Sequence, residues 1–193
     1  PKPYQRPHPP LFQAFSISEE TVRWCAREGI TPTILISQPQ QVRKLVEAYQ
    51  QEAQKAGRDL KLGDSVGVLR AMYFAENKDK ARALAEQGIC GVAFRKFFYH
   101  FGFFEAWREA EDEAKWPSGK VMLPAEECTI QRMERADFTY LGSVDDVRRS
   151  MDAMVENVHP EWLVWQGDQG FLPIDEVKRQ VETFGKHVLP RYK

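Results

Sequence analysis

Short apolar runs alternate along this chain with longer stretches in which apolar positions recur every three or four residues. The first run, residues 11–15, leads into SISEETVRWCAREGI, which predicts a helix from about Ser18 to Glu28 stopped by Gly29. The second, Thr33-Ile34-Leu35-Ile36, precedes a helix over 40–56 that carries Val42, Leu45, Val46 and Tyr49 on one face and ends at Gly57. A third strand over 66–75 is followed by the helical stretch AENKDKARALAEQG. A fourth, over 161–165, is followed by a helix that starts near Pro173 and gathers Ile174, Val177, Val181 and Phe184 on one face.

Strands that alternate with helices in this way imply a parallel sheet covered by helices, and strands without polar alternation imply burial on both faces. Four such units are half of an eight-stranded (β/α)8 barrel. A closed barrel takes about 250 residues, so 193 residues suit a half plus an insertion. The insertion is expected over 88–141, between the third and fourth strands. It holds the aromatic segment 94–107, the charged run 105–115, which reads as a solvated helix face, and the loop PSGK. After it, Ser143-Val144-Asp145-Asp146 opens a helix to Val158 in the manner of a capping box, with Asp in place of Glu or Gln. The opening PKPYQRPHPP reads as a proline-rich linker over 1–10 and leads us to expect a piece of a longer chain.

Charge and cysteine content narrow the class. Lys and Arg total 27 against 28 Asp and Glu, a net charge of −1, which gives no general attraction to nucleic acid or to an anionic membrane. No apolar run approaches the length of a membrane span. Cys25, Cys90 and Cys128 are odd in number and widely separated, which argues against a disulfide framework and for a reducing cytoplasmic setting. The spacing of His8, His100, His159 and His187 suggests no metal site.

Candidate chemistry centres on residues 16–21, the loop that leaves the first strand. In parallel α/β barrels ligands sit in such loops, and a helix N-terminus presents free N–H groups and the positive end of its dipole. Ser18 and Thr21 are placed to hold an anion there, but on spacing alone they are a helix cap, and Glu19 and Glu20 already favour the dipole. His100 reads as a surface or satisfied histidine before it reads as a proton donor or base. Arg70, in mid-strand, needs a buried carboxylate or a polar pocket. Trp162 and Trp165 point to opposite faces of the last strand, and Cys25 reads as a small buried apolar residue.

Three motifs in order change the balance. The loop and helix SEETVRWCAREG resemble S-P-E-T-x-x-x-A-A-x-x-G, with Ser18, Glu20, Thr21, Ala26 and Gly29 conforming. LGSVDDVRRSMDAM resembles a G-S/T-x-x-E/D-V helix opening. Phe184, Val188, Leu189, Pro190 and Arg191 follow the final pattern F-x-x-x-V-L-P-R. Together they are similar to the C-terminal half of the luciferase-like flavin-dependent monooxygenases, covering strands five to eight of the (β/α)8 barrel over residues 1–193.

The resemblance implies reduced FMN, supplied by a separate flavin reductase, its phosphate held by Ser18 and Thr21 with backbone help at Ile17. Coenzyme F420 is the alternative cofactor, and a non-catalytic half-barrel that binds flavin or only a partner is the alternative of another class. It further implies a lid between strands seven and eight in which Phe97, Phe98, Tyr99 and His100 wall off a small organic substrate. The same rings can equally be the packing of a two-helix insertion. The expected partner is the N-terminal half-barrel or a second copy, and no catalytic residue is named because strands one to four would supply it. One departure stands out: the family often has a small Ala-Gly pair where this chain has Phe15 and Ser16, so Phe15 either crowds the cofactor or turns into the helix layer.

Overall fold

Five strands, all paired in parallel, order the residues that the computed structural model describes, 2–6, 8–35 and 38–192. They are β1 (Phe12–Phe15), β2 (Thr31–Ile34), β3 (Gly67–Phe74), β4 (Thr139–Gly142) and β5 (Trp162–Trp165). The helices are α1 (Glu19–Glu28), α2 (Pro39–Lys55), α3 (Lys78–Gln87), α4 (Ile89–Lys96), α5 (Asp112–Lys115), α6 (Ile130–Arg135), α7 (Val144–Val158) and α8 (Ile174–His187).

The sheet runs β1-β2-β3, and β3 then serves two partners. Residues 67–70 of β3 pair with β5 and residues 71–74 with β4. The Arg70 carbonyl accepts from Gln166 N at 2.8 Å, while Ala71 N donates to the Phe138 carbonyl at 3.0 Å. Adjacent residues of a strand point their hydrogen bonds to opposite edges, so β4 and β5 flank β3 on different sides.

Three of the helices that follow strands, α1, α3 and α7, start at a side-chain cap. Ser18 caps α1, and Gly29 ends it in a left-handed conformation, φ 71°, that a side chain would strain. Asn77 caps α3 through its side chain, and Ser143 with Asp146 forms a complete capping box on α7. Gly142, at φ 125°, is fixed by that box, because a Cβ there would lie 2.6 Å from Asp146 Oδ2.

The two faces of the sheet have different fates. Phe15, Ile34, Val68, Met72, Phe74 and Tyr140 pack on Val22 and Cys25 of α1, Leu45 and Tyr49 of α2 and Met151 of α7. On the opposite face Leu69, Ala71, Tyr73 and Leu141 are covered by Ala81, Ile89, Phe94 and Met133. Towards β1 and β5 that second cover stops: Phe12 is 49% and Trp162 47% exposed, their rings edge to face at 5.7 Å. Among the described residues both flank strands keep an open edge, β1 pairing only with β2 and β5 only with β3.

Several expectations need correction. The sheet has five strands, not four: Thr139–Gly142 lies at the end of the stretch assigned to the insertion, and only pairing with the long central β3 makes a strand of so short a run. Strand β2 lies two residues earlier than expected. It includes Pro32, which is tolerated because pairing to β3 begins only at Thr33; Ile36 lies outside the described residues. The run 105–115 is a solvated face only in part: Ala110, Glu111, Glu113, Ala114 and Lys115 are exposed, but the rest is not. Asp112 is 5% exposed and meets Arg132 at 2.5 and 3.1 Å, and Trp107 is fully buried. Of the apolar face expected on α8, Ile174 and Val181 stay exposed, and Gln180 is the buried residue.

Candidate functional site

The loop between β1 and α1 is built by two local rules. Phe15 closes the strand by turning into the helix layer, 7% exposed, where it packs in the same core as Val22 and Cys25. Of the two fates open to Phe15, the structure takes the second. The alternate residue Ala14 is left exposed on the open face. The chain then passes Ser16 and the exposed Ile17 to Ser18, whose extended backbone, φ −74° and ψ 107°, starts α1.

At that start the two hydroxyls meet. Ser18 Oγ accepts from Thr21 N at 3.2 Å and from Thr21 Oγ1 at 2.9 Å, and Val22 N donates to the Ser18 carbonyl at 3.2 Å. Capping is thus observed, and Ser18 remains exposed with its own hydroxyl proton unspent on these bonds. The acid beside it is accounted for. Arg23 donates to Glu19 Oε1 from Nε at 3.0 Å and from Nη2 at 2.7 Å, and the same guanidinium reaches Glu52 at 3.3 Å. The hydrogen bond from Arg23 and its charge hold the Glu19 carboxyl below the usual carboxylate range. The Glu19 charge is drawn along the helix by Arg23, and Glu20 is exposed.

The aromatic insertion divides in two. Phe94, Phe104 and Trp107 are buried with Phe138, ring centroids 5.0 to 5.6 Å apart, so for these the packing reading holds. Arg132 ties the layer down through Asp112 and the carbonyls of Trp107 and Glu127. Phe97 and Phe101 are about three-fifths exposed, Phe98 and Tyr99 are half-buried, and His100 is exposed with its ring 5.5 Å from Tyr99.

Other residues singled out in the sequence have structural partners. Arg70, 1% exposed, donates to Tyr140 Oη at 3.3 Å and meets Asp137 Oδ2 at 3.4 Å, a carboxylate that is half-buried rather than buried. Burial raises the Asp137 pKa and outweighs the neighbouring Arg70 charge. Trp165 stacks into the helix layer against Phe184 at 5.2 Å, while Trp162 faces the open side. Cys25 is fully buried, and burial pushes its thiol pKa up.

Sequence reasoning missed one feature. Beyond β5, Asp168 Oδ2 accepts the amides of Gly170, Phe171 and Leu172 at 2.8, 2.7 and 2.9 Å, beside a cavity that also touches Tyr73, Trp165 and Gln180. The signal was GDQG directly after the last strand, where an Asp two residues before a Gly favours a tight turn.

Comparison with known proteins follows the same lines. A family model described as luciferase-like monooxygenase matches residues 1–158. Protein y4wF of Sinorhizobium fredii is 23% identical over 190 residues, which is 98% of this chain and 51% of that protein. The monooxygenase RslO1 of Streptomyces bottropensis superposes with a TM-score of 0.68 at 22% identity, over 100% of this chain and 51% of its own. The oxygenating constituent of 3,6-diketocamphane monooxygenase of Pseudomonas putida, a type II Baeyer-Villiger monooxygenase solved in complex with FMN, gives 0.73 at 17% identity over 95% and 49%. The coenzyme F420 dependent tetrahydromethanopterin reductase of Methanopyrus kandleri gives 0.60 at 17% over 95% and 51%. The chain therefore spans about half the length of the proteins it matches. Among the described residues no helix is long and apolar enough to cross a membrane.

Proposed function

This chain belongs to the luciferase-like monooxygenase family, and from that premise we propose that it is part of a flavin-dependent monooxygenase that uses reduced FMN and O2 on a small hydrophobic organic substrate. In this reading the chain supplies strands five to eight of a (β/α)8 barrel, with β4 as an added strand. The N-terminal half lies along the open edges of β1 and β5 and over Phe12 and Trp162. A separate flavin reductase supplies the reduced cofactor, which when bound provides the electrons that activate oxygen.

What this chain contributes is positioning. The exposed Ser18 hydroxyl donates to the FMN phosphate, Thr21 exchanges its bond to Ser18 for one to phosphate, and the amides of the first helical turn with that at Ile17 complete the cradle. The observation that carries this is the pairing of Ser18 and Thr21 at the N-terminus of α1, with Glu19 drawn off by Arg23 and Phe15 turned away from the loop. Phe97, Phe98, Tyr99 and His100, outside the buried aromatic layer, form the movable wall that keeps water from the reacting centre. No proton transfer is assigned to His100.

F420 is the second reading, favoured by the superposition on the F420-dependent reductase. The test is a titration of the full-length protein with FMN and with F420, followed by fluorescence at fixed salt. Tighter binding of FMN supports the proposal, tighter binding of F420 replaces it with the second reading, and binding of neither overturns both.

A further inference from the structure

We infer that the cavity between the C-terminal ends of β3 and β5 and the first turns of α8 binds the amide edge of a small apolar molecule, a lactam or a primary carboxamide, on the free main-chain edge of Met72. The inference does not rest on the flavin reading, since it uses none of residues 16–21.

Successive residues of a strand turn their main-chain groups to opposite sides. On β3 the amide of Ala71, and just beyond the strand that of Ala75, reach the carbonyls of Phe138 and Gly142 on the β4 side. Arg70, Met72 and Phe74 therefore turn the other way, towards β5 and α8. The Arg70 carbonyl is taken by the Gln166 amide at 2.8 Å, and there the ladder stops. The last paired residues are Arg70 and Trp165, and Gly167 N turns back onto the Trp165 carbonyl at 2.9 Å. Phe74 is served instead by a side chain: its N–H donates to Gln180 Oε1 at 2.6 Å, and its carbonyl accepts from Gln180 Nε2 at 2.9 Å.

Met72 lies between these two rungs and has neither partner. Among the described residues nothing bonds its N–H or its C=O, although the residue is 2% exposed. Buried main-chain groups are paired in more than about nine cases in ten. The place for a partner is the cavity, which Met72 lines together with Gln166 and Gln180, the residues that close the rungs on either side. Rungs on one edge are two residues apart, about 6.6 Å, which leaves a planar amide room between them.

Gln180 shows which chemistry fits. A carboxamide meets the N–H and C=O of a single residue because its oxygen and one amide hydrogen lie on the same side of the C–N bond. A lactam and a primary amide share that geometry; an open-chain secondary amide, which is trans, points the two groups apart. A carboxylate brings no donor to the Met72 carbonyl, and an ammonium brings no acceptor to its N–H. Gln180 itself cannot move down a rung, because its Nε2 also donates to Glu176 at 2.6 Å. The body of the guest is apolar: the cavity measures about 230 Å³ and has walls of Leu172, Val177 and Val181. A cavity of roughly 150 Å³ accepts benzene, so a six-membered ring is admitted. Apolar walls with a few fixed polar groups are the usual make-up of a small-molecule site.

The experiment is ¹⁵N–¹H spectroscopy of the full-length protein that carries this chain, labelled with ¹⁵N-methionine, with the Met72 amide signal identified by its loss in Met72→Leu. The probes are δ-valerolactam, benzamide, N-methyl-δ-valerolactam, which lacks the donor, and N-methylacetamide, which is trans. δ-Valerolactam and benzamide are expected to move the Met72 signal and to bind at least tenfold more tightly than the other two. Val177→Phe, which puts a ring into the cavity from a half-buried position, is expected to weaken δ-valerolactam at least tenfold. Equal binding of the N-methyl lactam or the trans amide, a Met72 signal that no probe moves, or lactam binding unchanged in Val177→Phe overturns the inference. If Met72→Leu fails to fold, the ranking of the four probes by calorimetry on the unaltered protein decides.

Discussion

Helices α1 and α7 begin alike and are finished differently. In each a serine, Ser18 or Ser143, accepts at 3.2 Å from the amide three residues on. On α7 that third residue is Asp146, whose Oδ2 takes the Ser143 amide at 2.9 Å and its hydroxyl at 2.6 Å, so the helix supplies the negative charge at its own positive end. On α1 the third residue is Thr21. Its hydroxyl returns to Ser18, nothing anionic is fixed over the first amides, and Glu19 is drawn off by Arg23. The same sequence motif gives a closed cap in one place and, in the other, a neutral pair of hydroxyls at an accessible helix end. A motif search that scores only the cap does not separate them; the residue at the third position does.

The most severe way to break the contrast is to make α1 resemble α7. Thr21→Asp is expected to lower FMN affinity by at least 100-fold, about 2.7 kcal/mol, because the new carboxylate takes the place of the phosphate. The melting temperature should stay level or rise by up to about 4 °C, the scale of a strengthened cap. Calorimetric titration beside thermal melts checks both halves. The converse, Asp146→Ala, removes a cap of about 0.5–2 kcal/mol, roughly 1–8 °C in a chain of this size, and should leave FMN affinity within about twofold.

Acidity sharpens the contrast further. The Ser143 hydroxyl, then its amide, hold the Asp146 carboxyl below its usual range in the folded state. A carboxyl with a depressed folded pKa contributes stability that is fully present above its unfolded value, about 3.9, and is lost as the pH falls through the folded value. Melts between about pH 6 and pH 3 should therefore show a shallower acid limb for Asp146→Asn than for the unaltered protein, while Ser18→Ala leaves that limb unchanged. The smallest effect is at Glu20. Glu20→Gln removes an exposed charge from the first turn of α1, and should tighten FMN about twofold and cost at most about 1 kcal/mol of helix-dipole stabilisation, read in the same titrations and melts.

The helix ends were legible in the sequence because caps are local: Ser18, Gly29, Ser143 and Asp146 act on amides within a few residues of themselves. The central strand was legible for a similar reason, eight residues of β3 buried without interruption. Features created by distant neighbours were not. Thr139–Leu141 resembles any apolar tail of a helical insertion until β3 pairs with it. Asp112 reads as one more charge in REAEDEAKW until Arg132, twenty residues on, closes over it. The fate of Phe15 depended on which face of β1 it occupied, which the strand pattern alone left open. The cavity at Asp168 needed Tyr73 and Trp165, nearly a hundred residues apart, brought to one lining.

The central claim is that the hydroxyls of Ser18 and Thr21 hold a phosphate as well as a helix. Its most direct test is a binding cycle on the full-length protein: FMN and riboflavin, which lacks the phosphate, each titrated against the unaltered protein and Ser18→Ala/Thr21→Ala at fixed salt. The double substitution should weaken FMN by more than about tenfold, 1.4 kcal/mol, leave riboflavin within about twofold, and change the ligand-free melting temperature little. Equal weakening of FMN and riboflavin, or a lower melting temperature with FMN affinity intact, would contradict the claim and leave SISEETVRWCAREGI a helix cap alone.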